Sequence, residues 1–247
     1  MITLAIYNLK GGVGKTASAV NLAYLSAKEG YRTLIWDLDP QGSASFYFGS
    51  NSSVKNESKK LLNGEVALSE AIQGTNYEGL SIIPADLSAR HADLLLNDMK
   101  QSKRKIASLL SSIKHEFDVI ILDCPPGLSL LHESIFVAAD WILMPNIPTT
   151  LSIRSYETVI DYCKENGVDS KKIKCFFSMV DHRKNLHHEV MQEFYKDKIF
   201  LKNYIPYLSD VEKMGIQEAP IETFARSSYA AQCYRDLWKE IRKNCFN

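Results

Sequence analysis

The chain has 247 residues, 45% of them hydrophobic, enough to bury a full core as one α/β domain over residues 1–247. Lysine plus arginine equals aspartate plus glutamate at 29 each, so net charge selects neither a nucleic acid nor an anionic membrane as partner. Five cysteines (Cys124, Cys163, Cys175, Cys233, Cys245) form no CxxC pair, which argues against a zinc site, an iron–sulfur scaffold and a disulfide framework and fits a reducing cytoplasm.

In chain order, apolar runs predict strands at 2–7, 33–37, 80–84, 118–123, 140–145, 173–179 and 201–205. Helical patterns fall between them at about 16–29, 87–99, 103–116, 129–139, 151–166 and 186–196, and two more, about 209–217 and 227–244, follow the last strand. This alternation predicts βαβ units, a mostly parallel twisted sheet and helices on both of its faces. The polar stretch from Gly49 to Lys60 is expected to be a mobile surface loop. No basic region precedes the first apolar run, so no signal peptide is expected. Asp140, Pro145 and Pro148 break the long apolar region at about 134–153, which reads as helix, strand and loop rather than a membrane span.

The most informative stretch is Lys10-Gly11-Gly12-Val13-Gly14-Lys15-Thr16, set between the first strand and the first helix. The ordinary phosphate loop is G-x-x-x-x-G-K-[ST]. Here Leu9 holds the place of its first glycine, and an extra lysine, Lys10, comes next. Glycines let the backbone curl its N–H groups toward anionic oxygens, and the helix N-terminus adds its positive end. Lys15 is placed to reach the β- and γ-phosphates of a nucleotide, and the Thr16 hydroxyl to hold Mg²⁺. Two acidic strand ends support this: Leu34-Ile35-Trp36-Asp37-Leu38-Asp39-Pro40-Gln41-Gly42, and Val119-Ile120-Ile121-Leu122-Asp123. Ligands of parallel sheets sit at the strands' carboxyl ends, so Gly11–Thr16, Asp39 and Asp123 should converge. Asp123 is placed to orient the Mg²⁺ shell, and Asp39 to orient the attacking water.

With KGGVGKT at 10–16, DLDPQGS at 37–43 and LDCPPGLSLL at 122–131, the chain resembles the ParA-type partition ATPases of the deviant Walker A superfamily, which also holds MinD and the nitrogenase iron protein. Weaker echoes are PNIPTTLS at 145–152, DHR at 181–183 and IPYLSDVEKMGIQEAP at 205–220, so the resemblance spans nearly the whole chain. It is to the short form, without a DNA-binding module ahead of the phosphate loop. The resemblance implies a weak, partner-stimulated ATP hydrolase using ATP and Mg²⁺, with Gly11, Gly12, Val13, Gly14, Lys15, Thr16 and Ala17 around the phosphates. It implies that Lys10 crosses a nucleotide-sandwiched homodimer to the partner's phosphates, and that Pro206 and Asp210 lie near the adenine. It also implies nonspecific double-stranded DNA binding in the ATP state, a nucleoid-associated cytoplasmic location, a ParB-like stimulating protein, and segregation of a plasmid, chromosome or other cargo. Ala17 stands where the family usually has a second hydroxyl, removing one hydrogen bond worth about 1 kcal/mol.

DNA contact needs clustered cations rather than net charge. By the resemblance Arg183, with Lys184 beside it, falls in the segment where the family's DNA-contacting arginines lie. Arg235, Lys239 and Arg242 are spaced i, i+4 and i+7 on one predicted helix and could present a basic stripe. A MinD-like alternative would insert an apolar stripe of Leu237, Trp238, Ile241, Cys245 and Phe246 into a membrane. Packing of that stripe onto the sheet is the better expectation, so no stable membrane association is expected. The iron-protein alternative fails for want of a suitably placed cysteine pair, and the metabolic kinases and synthetases that share the loop do not ordinarily carry DLDPQGS.

Overall fold

A computed structural model describes residues 1–52 and 57–246. Seven strands make one sheet: β1 (Ile2–Ile6), β2 (Thr33–Asp37), β3 (Gln73–Gly74), β4 (Leu80–Ile83), β5 (Val119–Asp123), β6 (Trp141–Asn146) and β7 (Ile173–Phe177). Their order is β3-β4-β2-β5-β1-β6-β7, parallel except for the two-residue edge strand β3. Every residue of β2 and β5 is buried, as continuously apolar strands covered on both faces require.

The helices are α1 (Lys15–Lys28), α2 (Ser43–Tyr47), α3 (Glu57–Asn63), α4 (Ala92–Asn97), α5 (Lys105–Ser111), α6 (Leu130–Ala138), α7 (Thr150–Glu165), α8 (Asn185–Phe194), α9 (Ser209–Glu212), α10 (Met214–Gln217), α11 (Ile221–Phe224) and α12 (Tyr229–Cys245). One face of the sheet packs Leu4, Ile6, Ile35 and Ile121 against Ala19, Leu22 and Ala23 of α1 and Leu237 and Trp238 of α12. The other packs Ala5, Leu34, Ile120 and Ile142 against residues of α4 to α8.

Three departures from the sequence reading have local causes. The expected strand at 201–205 forms no regular strand. It follows β7 through Leu201 N to Cys175 O at 2.7 Å and Ile205 N to Phe177 O at 2.9 Å. Between these points the N–H groups of Lys202 and Asn203 donate instead to the Glu240 carboxylate of α12, each at 2.8 Å, which interrupts the ladder. The expected helices at 87–99 and 103–116 each begin as a 3-10 turn, Leu87–His91 and Ser102–Arg104, ahead of α4 and α5. Of the polar stretch Gly49–Lys60, residues 53–56 lie outside the described residues, and its end opens α3 rather than continuing as a loop. Buried Leu61 and Leu62 anchor that helix, while Ser58 and Lys59 donate their N–H groups to Asp86 and Ser88.

The C-terminal stripe is core. Leu237, Trp238, Ile241 and Cys245 are buried, and Phe246 packs edge-on against Trp238 at 5.4 Å. The Trp238 indole N–H also donates to Glu29 at 3.0 Å, at the end of α1. The membrane alternative therefore has no exposed stripe on this helix. Trp238→Ala is expected to lower unfolding stability by about 3–5 kcal/mol, read from denaturant titration; a loss under about 1 kcal/mol would show that the stripe is not part of the packed core.

Candidate functional site

The carboxyl ends of β1, β2 and β5 are adjacent, with Asp37 opposite Asp123 in the β2–β5 register and Ile6 opposite Asp123 in the β1–β5 register. The loop leaving β1 is anchored by Asn8, fully buried, whose side-chain amide donates to the Pro145 carbonyl at 2.8 Å and to Asn146 at 3.1 Å. Its side-chain oxygen accepts the Lys10 N–H at 2.9 Å, so one asparagine ties the loop to β6 and sets its first bend. The sequence reading missed this residue; its signal was a polar side chain closing an apolar strand just ahead of the loop.

Gly12 and Gly14 adopt φ of 71° and 85°, conformations that disfavour any side chain. A Cβ on Gly14 would also lie 2.7 Å from the Ser178 hydroxyl, so the loop sits directly against the end of β7. Lys15 begins α1, is only 7% exposed, and donates its ammonium to the Lys10 carbonyl at 2.8 Å. The loop is thus wrapped around a buried cation. Burial pushes the Lys15 ammonium below its ordinary pKa, and the Asp123 charge opposes that shift.

The paired carboxylates of DLDPQG divide their roles. Asp37 is buried and accepts the Ser45 N–H at 2.8 Å and hydroxyl at 2.7 Å, and its other oxygen accepts the Asp39 N–H at 3.2 Å. It organises the turn into α2. Asp39 accepts the Gln41 N–H at 3.0 Å and borders a cavity of about 280 Å³ together with Gly11, Lys15, Thr16 and Pro126. Asp123 is fully buried, and the Thr16 hydroxyl beside it favours its ionised form. A buried carboxyl beside the Thr16 hydroxyl and a second carboxylate is the hard-oxygen donor set that Mg²⁺ takes, directly or through its waters. The residues present therefore fit that ion.

Burial, and then the neighbouring Asp37 charge, raise Asp123 far above the ordinary carboxylate range; burial chiefly raises Asp37, to about 6. The native state thus holds protons that the unfolded chain has released. The stability tied to them is fully present below the unfolded carboxylate range near pH 4, and is lost as pH rises through about 6 and beyond. The nucleotide-free chain is expected to melt at lower temperature at pH 8 than at pH 5. Asp123→Asn should flatten that slope and raise the melting temperature of the nucleotide-free chain near neutral pH. Unchanged melting profiles in this variant would show that Asp123 carries no such penalty.

A second cavity, about 240 Å³, adjoins the first through shared Gly12, Gly14 and Ala17. Tyr47, Met179, Pro206, Tyr207 and Tyr234 give it mostly apolar walls. Pro206 thus borders a cavity that reaches the loop. Asp210 does not border this cavity and pairs with Lys213 at 2.9 Å, whereas its neighbours Leu208, Val211 and Glu212 do border it. Tyr47 and Tyr234 were not foreseen, because they come from elements distant in sequence. A larger cavity, about 590 Å³, lies by Tyr24, Tyr31 and Tyr77 and holds none of the loop residues.

Lys10 directs its ammonium to the Leu151 carbonyl at 2.6 Å, within the same chain. Of the candidate DNA cations, Arg183 is 84% exposed and forked onto Asp181 at 2.9 Å, and Lys184 is exposed beside it. Arg235 is drawn to buried Glu222 at 2.5 Å and Arg242 to Glu29 at 2.9 Å, while Lys239 stays exposed. The i, i+4, i+7 spacing put these three on one face but could not reveal that two of them are held in ion pairs.

A glycine-rich loop, its lysine and two acidic strand ends, converging at the carboxyl edge of a parallel sheet, define a P-loop nucleoside triphosphatase domain. Residues 1–174 match the family model described as an AAA domain. The chain is 31% identical to the chromosome-partitioning ATPase Soj of Treponema pallidum, over 97% of this chain and 96% of that one. It is 30% identical to the sporulation initiation inhibitor protein Soj of Bacillus subtilis, over 98% of each. Among solved structures, a plasmid partition protein of Borrelia burgdorferi bound to AMPPNP shares the fold at a TM-score of 0.87 and 18% identity, over 98% of this chain and 99% of that one. The chain belongs to the Soj/ParA family of partition ATPases.

Proposed function

We propose that this chain is an ATP-driven positional switch, a monomer with ADP or no nucleotide and a sandwich homodimer with ATP, whose dimer binds DNA without sequence preference. The observation that carries the nucleotide site is the grouping of Lys15, Asp39 and the buried Asp123 carboxyl at the loop. Lys15 neutralises terminal phosphate charge, and the backbone N–H groups from Gly11 to Ala17 cradle the remaining oxygens. The Thr16 hydroxyl, with Asp39 and Asp123 through water, would hold Mg²⁺, which would supply charge neutralisation for the phosphates. Asp39 orients the attacking water, and the cavity bordered by Pro206 takes the adenine, with Asp210 nearby. The half-buried Lys10 leaves Leu151 to reach the partner's phosphates, which makes hydrolysis depend on dimerisation.

The switch works only if the dimer is more stable with ATP than with ADP, and that differential is its whole thermodynamic basis. A ParB-like protein stimulates an otherwise weak hydrolysis, and the ATP dimer rides the nucleoid in the cytoplasm while moving a plasmid, chromosome or other cargo. Arg183 and Lys184 carry the DNA contact, and the Lys239 face contributes, with Arg235 and Arg242 joining only where their ion pairs open.

The test is anisotropy of a labelled random-sequence duplex with ATP–Mg²⁺, ADP–Mg²⁺ or no nucleotide, across a salt series. Binding only with ATP, weakening steeply as salt rises, is expected from counterion release. Arg183→Glu should lower DNA affinity at least about tenfold with ATP-dependent dimerisation intact. No binding in any nucleotide state would remove the DNA track, and normal binding by the variant would move the surface elsewhere.

A further inference from the structure

The segment from Cys124 to Ser129, between Asp123 and α6, is held by a set of contacts that the nucleotide site itself does not account for. His132 is 3% exposed and lies on the first turn of α6. Its Nε2 is 3.0 Å from the Pro125 carbonyl, which can only accept, so Nε2 carries the proton. Its Nδ1 is 2.9 Å from the Ser129 hydroxyl. Ser129 occupies the N-cap of α6 yet makes no capping bond with its side chain; the hydroxyl engages the imidazole instead.

From the other side, the Tyr7 hydroxyl at the end of β1 donates to the Gly127 carbonyl at 2.8 Å. The Gly127 N–H donates to the Leu9 carbonyl at 3.0 Å, tying this segment to the lead-in of the phosphate loop. The Tyr7 ring packs on His132 at 5.3 Å and edge-on against Phe136 at 4.8 Å. Gly127 has φ of 109°, so the held conformation is one that a side chain would oppose.

The held segment carries Pro126, which borders the phosphate cavity, as do Asp39 and Gln41; none of the three borders the apolar cavity around Pro206 and Tyr207. On the nucleotide site proposed above, with the base in the apolar cavity, the last phosphate lies toward the residues that border the phosphate cavity alone, Asp39 and Pro126 among them. We infer that Tyr7 and His132 are positioning residues that clamp the segment 124–129 in the form that accepts a γ-phosphate, and so set the preference for ATP over ADP. The pair touches no reacting atom; it acts through Pro125, Gly127 and Ser129. This inference rests on the nucleotide site proposed above.

The test measures Mg²⁺-dependent affinity for a non-hydrolysable ATP analogue and for ADP in the wild type, Tyr7→Phe, His132→Leu, His132→Gln and Ser129→Ala, with thermal melting as a folding check. Tyr7→Phe and His132→Leu should cut the ratio of analogue to ADP affinity at least fivefold while ADP affinity stays within twofold. His132→Gln retains an N–H that can reach the Pro125 carbonyl and should recover most of the ratio. A merely structural role would lower the melting temperature and leave the ratio unchanged, and that result overturns the inference. Equal weakening of both nucleotides overturns it too. If His132→Leu does not fold, Tyr7→Phe, which keeps the packed ring, decides alone. A wild-type chain that binds neither nucleotide would instead refute the nucleotide site, and the clamp would fall with it.

Discussion

Lys15→Ala is expected to abolish ATP binding at concentrations that saturate the wild type, a loss of roughly a hundredfold or more, about 2.8 kcal/mol at 1.4 kcal/mol per decade. The size follows from burial. The ammonium is almost wholly removed from water and keeps one backbone partner, the Lys10 carbonyl, so the desolvation of the cation is already met in the nucleotide-free chain. Phosphate oxygens then gain a preorganised charge-assisted donor rather than one that must first shed its hydration shell. The variant also removes a cation that favours ionised Asp123, so that carboxyl should hold its proton to higher pH and the nucleotide-free chain should melt at a lower temperature in alkaline buffer. Equilibrium binding of a fluorescent ATP analogue, with circular dichroism as the folding check, measures both effects. Normal affinity in a folded Lys15→Ala would mean that the loop does not bind phosphate through this residue.

Much of this site was legible because its parts are local in sequence and their chemistry is narrow. A loop of glycines between an apolar strand and a helix, and an aspartate closing an all-apolar strand, each say where they lie in a parallel sheet before any contact is known. What could not be read depends on neighbours supplied from afar. DLDPQG announces two carboxylates but not that Ser45 captures Asp37 and leaves Asp39 to the cavity. The spacing of Arg235 and Arg242 shows a shared helix face, yet Glu222 and Glu29, from α11 and the end of α1, decide that both are held in ion pairs. The segment 201–205 has the composition of a strand, and only Glu240 reaching across from α12 breaks its ladder. Propensity was overridden by tertiary hydrogen bonding in that case, and by Leu61 and Leu62 reaching the core in the helix that opens within the polar stretch.

Asp39→Ala separates binding from turnover, which Lys15→Ala cannot do. Asp39 lines the phosphate cavity, is only partly buried, and spends one oxygen on the Gln41 N–H, which leaves acceptor capacity for the attacking water that the proposed mechanism assigns to it. Positioning and polarising that water is an interaction made in the transition state, and removing it lowers the rate without lowering ground-state affinity. The carboxylate also repels a bound triphosphate, so its loss should leave ATP affinity unchanged or slightly improved. Asp37 keeps its two bonds from Ser45, so the turn into α2 should survive the truncation. The expected result is ATP-dependent dimerisation that persists while hydrolysis falls by roughly 10²–10⁴-fold, the range associated with a lost acid–base or charge-stabilising group. Single-turnover decay of bound radiolabelled ATP, alongside light scattering for dimer mass, reads the two quantities in one preparation. If hydrolysis proceeds at the wild-type rate, the water is positioned by another group, and Gln41 on the same cavity wall is the next to replace. If dimerisation disappears together with hydrolysis, Asp39 shapes the ATP-bound surface as well, and its role extends from the water to the switch itself.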